Sequence, residues 1–177
     1  MNTIKRINSE IIGMLRYNLG ITYLSKTTLN KIDTRILSEL ERMKVKYRGT
    51  TRWRYYLPIE TMGLGLRSVK VECLIELIKL YQSTKNGSQV RKIYKLYDAK
   101  KPKRQRIEEK IYDISKEYNI TIEEIKNIIN GEKDVTEEIM KKVNEFYIKK
   151  WSELDRSSQL LKEFKNPYVD QKLTTNA

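Results

Sequence analysis

The stretch from Arg42 to Ser68, RMKVKYRGTTRWRYYLPIETMGLGLRS, carries the strongest signals for fold and function in this chain. Its first half interleaves six cations with four aromatic residues, and its second half runs through Leu57-Pro58 to two glycines. Cations neutralise phosphates and flat rings stack on unpaired bases, so this mixture indicates a nucleic-acid partner. The alternative interpretation is a solvated basic loop whose Trp53 and Tyr56 cover the hydrophobic core.

Positive charge is concentrated in the same part of the chain. Residues 1–106 contain 24 Lys and Arg against 8 Asp and Glu, a net charge of +16, whereas residues 107–177 contain 12 against 15, a net charge of −3. A surface that was basic only for solubility would not be sorted in this way. The asymmetry therefore predicts that the first region faces a polyanion.

Missing residue types exclude several classes of chemistry. The chain has no histidine, which rules out histidine-based triads, histidine general bases and cysteine–histidine zinc sites. The single cysteine, Cys73, lies in an apolar helical pattern, so we expect a buried thiol. We see no long apolar span, signal peptide or lipidation motif. These observations predict no membrane partner, no metal or other cofactor, and an intracellular location, cytoplasmic or nuclear.

Outward from the opening stretch, apolar residues recur at steps of three and four, which predicts helices throughout. One helix is expected over residues 4–17, with Ile4, Ile7, Ile11 and Leu15 on its apolar side, and another over residues 28–43. Ser68 is expected to cap a third helix. We predict an all-α fold with a basic helical module over residues 1–100, a smaller helical module over residues 101–165, and a disordered tail over residues 166–177, with the boundary at the charged, proline-containing hinge of residues 100–106.

The order of these features resembles a known region. A helix carrying Ile32-Asp33-Thr34-Arg35-Ile36, the basic aromatic loop, Tyr56-Leu57-Pro58 and then Met62-Gly63-Leu64-Gly65-Leu66 resembles the region after the catalytic core of reverse transcriptases of non-LTR retrotransposons. The resemblance covers about residues 4–81, with Met62 in place of the first family glycine. It implies a helical thumb and linker that grip template and primer.

Two sets of residues follow as candidates. The motif residues are expected to be structural, because glycines allow positive φ or close backbone approach while leucines enter the core; they are Leu57, Pro58, Gly63, Leu64, Gly65 and Leu66. Cationic and aromatic residues of the basic module are expected to touch nucleic acid. They are Lys44, Lys46, Arg48, Arg52, Trp53, Arg54, Tyr55, Arg67, Arg91, Lys92 and Lys95.

The resemblance does not extend to a complete enzyme. Such polymerases use paired aspartates to hold two metal ions for nucleotidyl transfer, and this chain contains no adjacent Asp-Asp. The chain is also too short for the fingers and palm of a polymerase. We therefore expect no catalysis from this polypeptide.

The later helices resemble a different family. Thr121 and Glu124 form a capping-box pattern, and the short helices around them are similar to the helix-turn-helix headpiece of bacterial LacI-type repressors. That likeness implies that Ile122, Lys126 and Asn127, together with Glu123, face the DNA major groove. The two acidic residues in this helix oppose such docking, so a helical module that contacts protein is the preferred interpretation.

The sequence thus predicts non-catalytic binding of structured RNA or an RNA–DNA hybrid by a thumb-like basic module. Two alternatives remain open. One is a helix-turn-helix regulator that reads DNA through the later helices. The other is an RNA-bound structural component of a ribonucleoprotein such as the ribosome, in which residues 107–165 contact a protein partner.

Overall fold

The computed structural model describes residues 3–20, 22, 24–45, 51–61, 63–86, 88–131 and 134–154. Within these ranges the chain forms helices and no strand, so the predicted all-α fold is confirmed. The α-helices are α1 (Thr3–Arg6), α2 (Gly13–Leu19), α3 (Lys26–Arg42), α4 (Arg52–Tyr56), α5 (Val69–Asn86), α6 (Ser88–Ala99), α7 (Ile107–Ser115), α8 (Ile122–Asn130) and α9 (Val135–Ser152).

The first predicted helix contains a change of register. A π-helical segment, Ile7–Ile12, joins α1 to α2. Because a π-turn holds an extra residue, the buried face moves along the sequence. Ile12 is fully buried, whereas Ile11 is 45% exposed. The expectation that Ile11 faces the core is therefore wrong, and the wider turn is the reason.

Helix α5 is the centre of the fold. Its sequence is apolar on nearly all sides, as expected for a helix surrounded by protein, and its residues from Val69 to Ile78 are mostly buried. It contacts α2, α3, α6, α7, α8 and α9. Cys73 lies in this helix and is fully buried, as predicted.

Helix α5 begins at a cap that is supplied partly by another helix. The carboxylate of the buried Asp33, on α3, accepts hydrogen bonds from the Ser68 hydroxyl at 2.6 Å and the Val69 amide at 2.7 Å. The first amides of a helix have no partner within the helix, and a carboxylate there also interacts favourably with the helix dipole. This contact fixes α3 against the start of α5.

Helices on both sides of the predicted hinge share one hydrophobic core, which extends from Ile4 to Trp151. The amide of Gln82, on α5, donates to the carbonyls of Ile128 and Ile129 at 3.3 and 3.1 Å and so closes the end of α8. The hydroxyl of Tyr81 donates to Glu108 on α7. Residues 100–106 therefore connect parts of a common core. The predicted tail, residues 166–177, lies outside the described residues.

Candidate nucleic-acid interface

Helix α4 carries Arg52 and Trp53 and has only five residues, so it depends on its surroundings. The Thr51 hydroxyl caps its start by accepting from the Trp53 amide at 3.2 Å. At the other end, the carbonyls of Arg54 and Tyr55 accept hydrogen bonds from the amides of Leu64 and Leu66, at 3.0 and 2.7 Å. The glycine-containing segment thus supplies donors to helix-end carbonyls that would otherwise lack them.

Gly63 and Gly65 are required for different physical reasons. A Cβ on Gly63 would lie 2.0 Å from the Leu57 carbonyl oxygen, so the backbone approaches too closely for any side chain. Gly65 has φ of +69°, in the left-handed region. Leu57 and Leu66 are buried and Leu64 packs against the core. Together with Pro58, these residues hold α4 in place, which is the structural role expected for the motif.

Asn8, which lies in the π-helical turn, also holds the glycine-containing segment in place. Its amide donates to the Gly65 carbonyl at 2.7 Å, and its side-chain oxygen accepts from the Arg67 amide at 3.0 Å. Asn8 was not among the residues predicted from the sequence. A lone Asn in an amphipathic helix looks like an ordinary surface residue, and no local pattern indicates a partner 57 positions away.

Trp53 faces an open cleft of about 630 Å³ whose lining combines aromatic rings with polar and charged side chains. We call it the aromatic cleft and define it by its five rings, which are Trp53, Tyr56, Tyr118, Phe146 and Tyr147. The Tyr147 ring is central, with centroids 5.4 Å from Tyr56, stacked, and 5.9 Å from Trp53. Phe146 meets Trp53 edge-on at 5.9 Å. These separations are those at which aromatic pairs attract one another.

Three cations from different helices line the cleft and lie over its rings. The Arg52 guanidinium is 4.1 Å from the Trp53 centroid, and the ammonium groups of Lys70 and Lys150 are 5.7 and 5.9 Å from Tyr118 and Phe146. These are cation–π distances. Lys70 and Lys150 were not among the predicted binding residues, because Lys70 lies in the mainly apolar pattern of α5 and Lys150 lies in the region with a net negative charge.

The acidic groups of the cleft are already engaged. Glu117 pairs with Lys70 and, at 2.9 Å, with Lys26. Asp33 accepts from Ser68, Val69 and, at 3.4 Å, the Lys70 amide. Burial raises the pKa of Asp33, while these donors act in the opposite direction. Burial also raises the pKa of the Tyr56, Tyr118 and Tyr147 hydroxyls, so all three phenols are neutral at physiological pH.

Arg52 differs from the other two cations in its pairing. Lys150 pairs with the exposed Glu153 at 2.8 Å, and Lys70 with Glu117. Within the described ranges, Arg52 has no carboxylate within 4 Å and its side chain is exposed. Its contact is with the indole ring.

The predicted binding residues do not all come together. Lys44 is exposed at the end of α3 with φ of 55°, and Lys92 is exposed on α6, which does not line the cleft. Arg67 pairs with the buried Glu72 at 3.7 Å, and Arg16 pairs with the same carboxylate at 3.4 Å. Arg54 is half-buried. Lys46 and Arg48 lie outside the described residues, as do the side chains of Arg91 and Lys95.

The prediction for Tyr55 is wrong. It was expected to contact nucleic acid, but its side chain is 1% exposed and belongs to the core. In so short a helix, neighbouring residues point in different directions, and Tyr55 lies on the side that faces the protein. A ring without an accessible face cannot stack on a base.

The alternative DNA-reading residues form an exposed row on α8. Ile122 is 54% exposed, and Lys126 and Asn127 are also exposed. Ile125, Ile128 and Ile129 hold the opposite side of the helix in the core. Glu123 is exposed in the first turn beside Ile122, so this surface carries a negative charge where phosphates would approach.

In the described part of the chain, no helix combines the length and the apolar character that crossing a bilayer requires. Comparison of the chain with protein-family models, curated proteins and solved structures finds no match.

Proposed function

We propose that this protein binds nucleic acid, either structured RNA or an RNA–DNA hybrid, and does so without catalysis. The observation that supports this most directly is the convergence of Arg52, Lys70 and Lys150 on the aromatic cleft. These cations come from α4, α5 and α9. Positive charge beside accessible rings is the combination that phosphates and bases require together.

Arg52 is the residue best suited to a phosphate. Its guanidinium presents several donors in a fixed fork, which matches a phosphate. No carboxylate in the described ranges competes for those donors, and the indole ring holds the group in position. A phosphate therefore gains a donor set that is already ordered.

Long-range attraction supports the same function. The chain has a net charge of +13, and the first 106 residues hold more than this excess. Lys44 precedes Arg52 by eight positions, and Lys46 and Arg48 lie between them in the sequence. Such a density of positive charge raises the rate of encounter with a polyanion.

The carboxylates of the cleft do not favour catalysis. Metal-dependent nucleotidyl transfer needs carboxylates that are available to metal ions. Asp33 is occupied by three donors and Glu117 by two lysines. Within the described residues, then, the acidic groups at this site serve the fold.

The proposal is tested by the anisotropy of a labelled RNA hairpin titrated with the purified protein at several salt concentrations. For about six phosphate contacts, we expect affinity to fall roughly 10³-fold between 50 and 200 mM salt. Arg52→Ala and Lys150→Ala should each weaken binding and reduce the salt slope by about one.

Lys149→Ala is the matched control, since Lys149 is an exposed neighbour of Lys150 that does not line the cleft. It should keep the salt slope of the wild type. Binding that is insensitive to salt would contradict phosphate contact. Loss of binding on Lys126→Ala or Asn127→Ala, with no effect of Arg52→Ala, would instead support the helix-turn-helix alternative.

A further inference from the structure

We infer that the aromatic cleft receives one unpaired nucleotide, with its base against the half-buried rings of Trp53 and Phe146 and its phosphate on Arg52 and Lys150. This inference rests on the proposed function and specifies what the site recognises. It separates nucleic acid that offers a free base from nucleic acid that offers only a backbone.

The size and openness of the cleft fit such a ligand. Its volume of about 630 Å³ is within the range of pockets for small organic molecules, about 300 to 1,000 Å³. Asn30, Thr34 and Arg52 line it and are exposed, so it opens to solvent. A fully paired duplex keeps its bases stacked inside, and only an unpaired or terminal nucleotide can place a ring in such a space.

The walls match the chemistry of a base. Trp53 and Phe146 are only half-buried, which leaves ring surface available, whereas the three tyrosine rings are buried. Base–aromatic stacking requires such surface and tolerates any base, because every base has a π face. Asn30 and Thr34 add polar groups at the opening for hydrogen bonds to a base or sugar.

The charged side chains of the aromatic cleft favour an anionic ligand over a cationic one. An aromatic cage with carboxylates could also hold a quaternary ammonium group. In this cleft, however, three cations already lie over the rings, and both carboxylates have partners. A cationic ligand would meet Arg52 and Lys150, whereas a phosphate attached to the base would be attracted by them.

The chain contains a matched pair outside the cleft. Lys101 lies 4.5 Å from the ring of Tyr97, which is 62% exposed on α6. This pair has the same cation-over-ring arrangement as Arg52 and Trp53 but does not line the cleft. If any exposed ring beside a cation were sufficient, both pairs would contribute equally.

The first experiment compares two RNAs of equal length and charge, a hairpin with an unpaired loop and a blunt duplex, at one salt concentration. We expect the wild type to prefer the hairpin about tenfold or more, the effect that base–aromatic stacking carries. Trp53→Ala should abolish the preference, and Trp53→Phe should keep most of it. Tyr97→Ala should leave it unchanged.

Variants that preserve the fold separate a loss of binding from a loss of folding. Arg52 is exposed, so Arg52→Lys keeps the charge and loses only the planar fork. We expect it to reduce the preference for the looped RNA while thermal melting stays as in the wild type. A full preference in Arg52→Lys together with a full preference in Trp53→Ala would overturn the inference.

Competition with small molecules distinguishes a free nucleotide from an unpaired residue of RNA. At constant ionic strength, a nucleoside monophosphate should displace the looped hairpin, while inorganic phosphate and tetramethylammonium should not. Equal displacement by phosphate, or displacement by tetramethylammonium, would overturn the inference.

Equal affinity for looped and blunt RNA would overturn the inference and leave the proposed function standing. Binding of the monophosphate without binding of any RNA would overturn the proposed function and, with it, this inference.

Discussion

At the scale of single residues, the glycine-containing segment is held by contacts that leave little freedom. Asn8 bridges the Gly65 carbonyl and the Arg67 amide, and Gly63 lies against the Leu57 carbonyl. Each contact fixes one short part of the backbone that supports α4. These contacts therefore set the position of Arg52 and Trp53.

The two glycines predict different costs on substitution by alanine. Gly63→Ala places a Cβ 2.0 Å from a backbone oxygen, and overpacking of this kind costs about 3 kcal/mol. Gly65→Ala keeps the space but strains a residue at positive φ, at a cost of about 1–2 kcal/mol. Urea unfolding should give Gly63→Ala the lower midpoint. The reverse order would show that the segment can move away from Leu57.

The sequence RWRYY, residues 52–56, shows how far residue types alone can predict a site. Its composition predicted a binding segment, and its Arg52, Trp53 and Tyr56 line the aromatic cleft. Composition could not separate the buried Tyr55 from the exposed Arg52, because a five-residue helix has too few turns to show a periodic pattern. The direction of each side chain depends on what the helix packs against.

At the scale of elements, α8 and α9 show how local capping and tertiary contact combine. The capping box predicted from Thr121 and Glu124 is present, with both hydrogen bonds formed. Glu124 also pairs with Lys142 on α9 at 2.5 Å. The hydrogen bond from Lys142 and that from the Thr121 amide lower the pKa of Glu124 to about 2.

This lowered pKa predicts a pH dependence of stability. A carboxylate whose folded pKa lies below its unfolded value contributes stability above about pH 4.5, and this is lost as the pH falls towards 2. Glu124→Gln should therefore lower the free energy of unfolding above pH 5 and have almost no effect near pH 2. The difference should be under about 1 kcal/mol, because both side chains are one-third exposed and water screens the pair.

Chemical denaturation at a series of pH values measures this difference. Glu123→Gln is the control, since Glu123 is exposed and lies outside the capping-box hydrogen bonds. Above pH 5, its effect on the free energy of unfolding should be smaller than that of Glu124→Gln. A Glu124→Gln difference that grows as the pH falls would contradict the assigned role of the pair.

At the scale of the whole molecule, the two regions of the sequence depend on each other. Helix α9 supplies Phe146, Tyr147 and Lys150 to the cleft, while α3, α4 and α5 supply most of the rest. Ion pairs of Lys26 and Lys70 with Glu117 join the basic region to the acidic one. Lys26 and Lys70 thus share one carboxylate across the two regions, whereas the exposed Arg52 has no carboxylate within 4 Å in the described ranges.

A fragment of residues 1–106 should consequently lose its fold and its site. It lacks α7, α8 and α9, all of which contact α5, so a large apolar surface of the central helix would be exposed. We expect no cooperative thermal transition in circular dichroism and poor dispersion in its amide NMR spectrum, in contrast to the full chain. A sharp transition with retained preference for looped RNA would instead support two independent modules.

Some properties of this protein follow from the sequence alone. Local spacing determines α3 and α9, since their apolar residues recur with the helical period, whereas α5 is apolar on nearly all sides, and the capping box determines the start of α8. The two glycines indicate a constrained turn, because few other residues allow it. The distribution of charge indicates a basic first region.

The aromatic cleft forms only through the tertiary structure. Its rings and cations come from positions between Asn30 and Lys150, and no local pattern records that α9 packs on α4. The same is true of Asn8 on Gly65 and Asp33 on Val69, which join residues 57 and 36 positions apart. Local spacing reports which side of a helix is apolar, whereas a site of this kind depends on which apolar sides meet, and packing of the whole chain determines that.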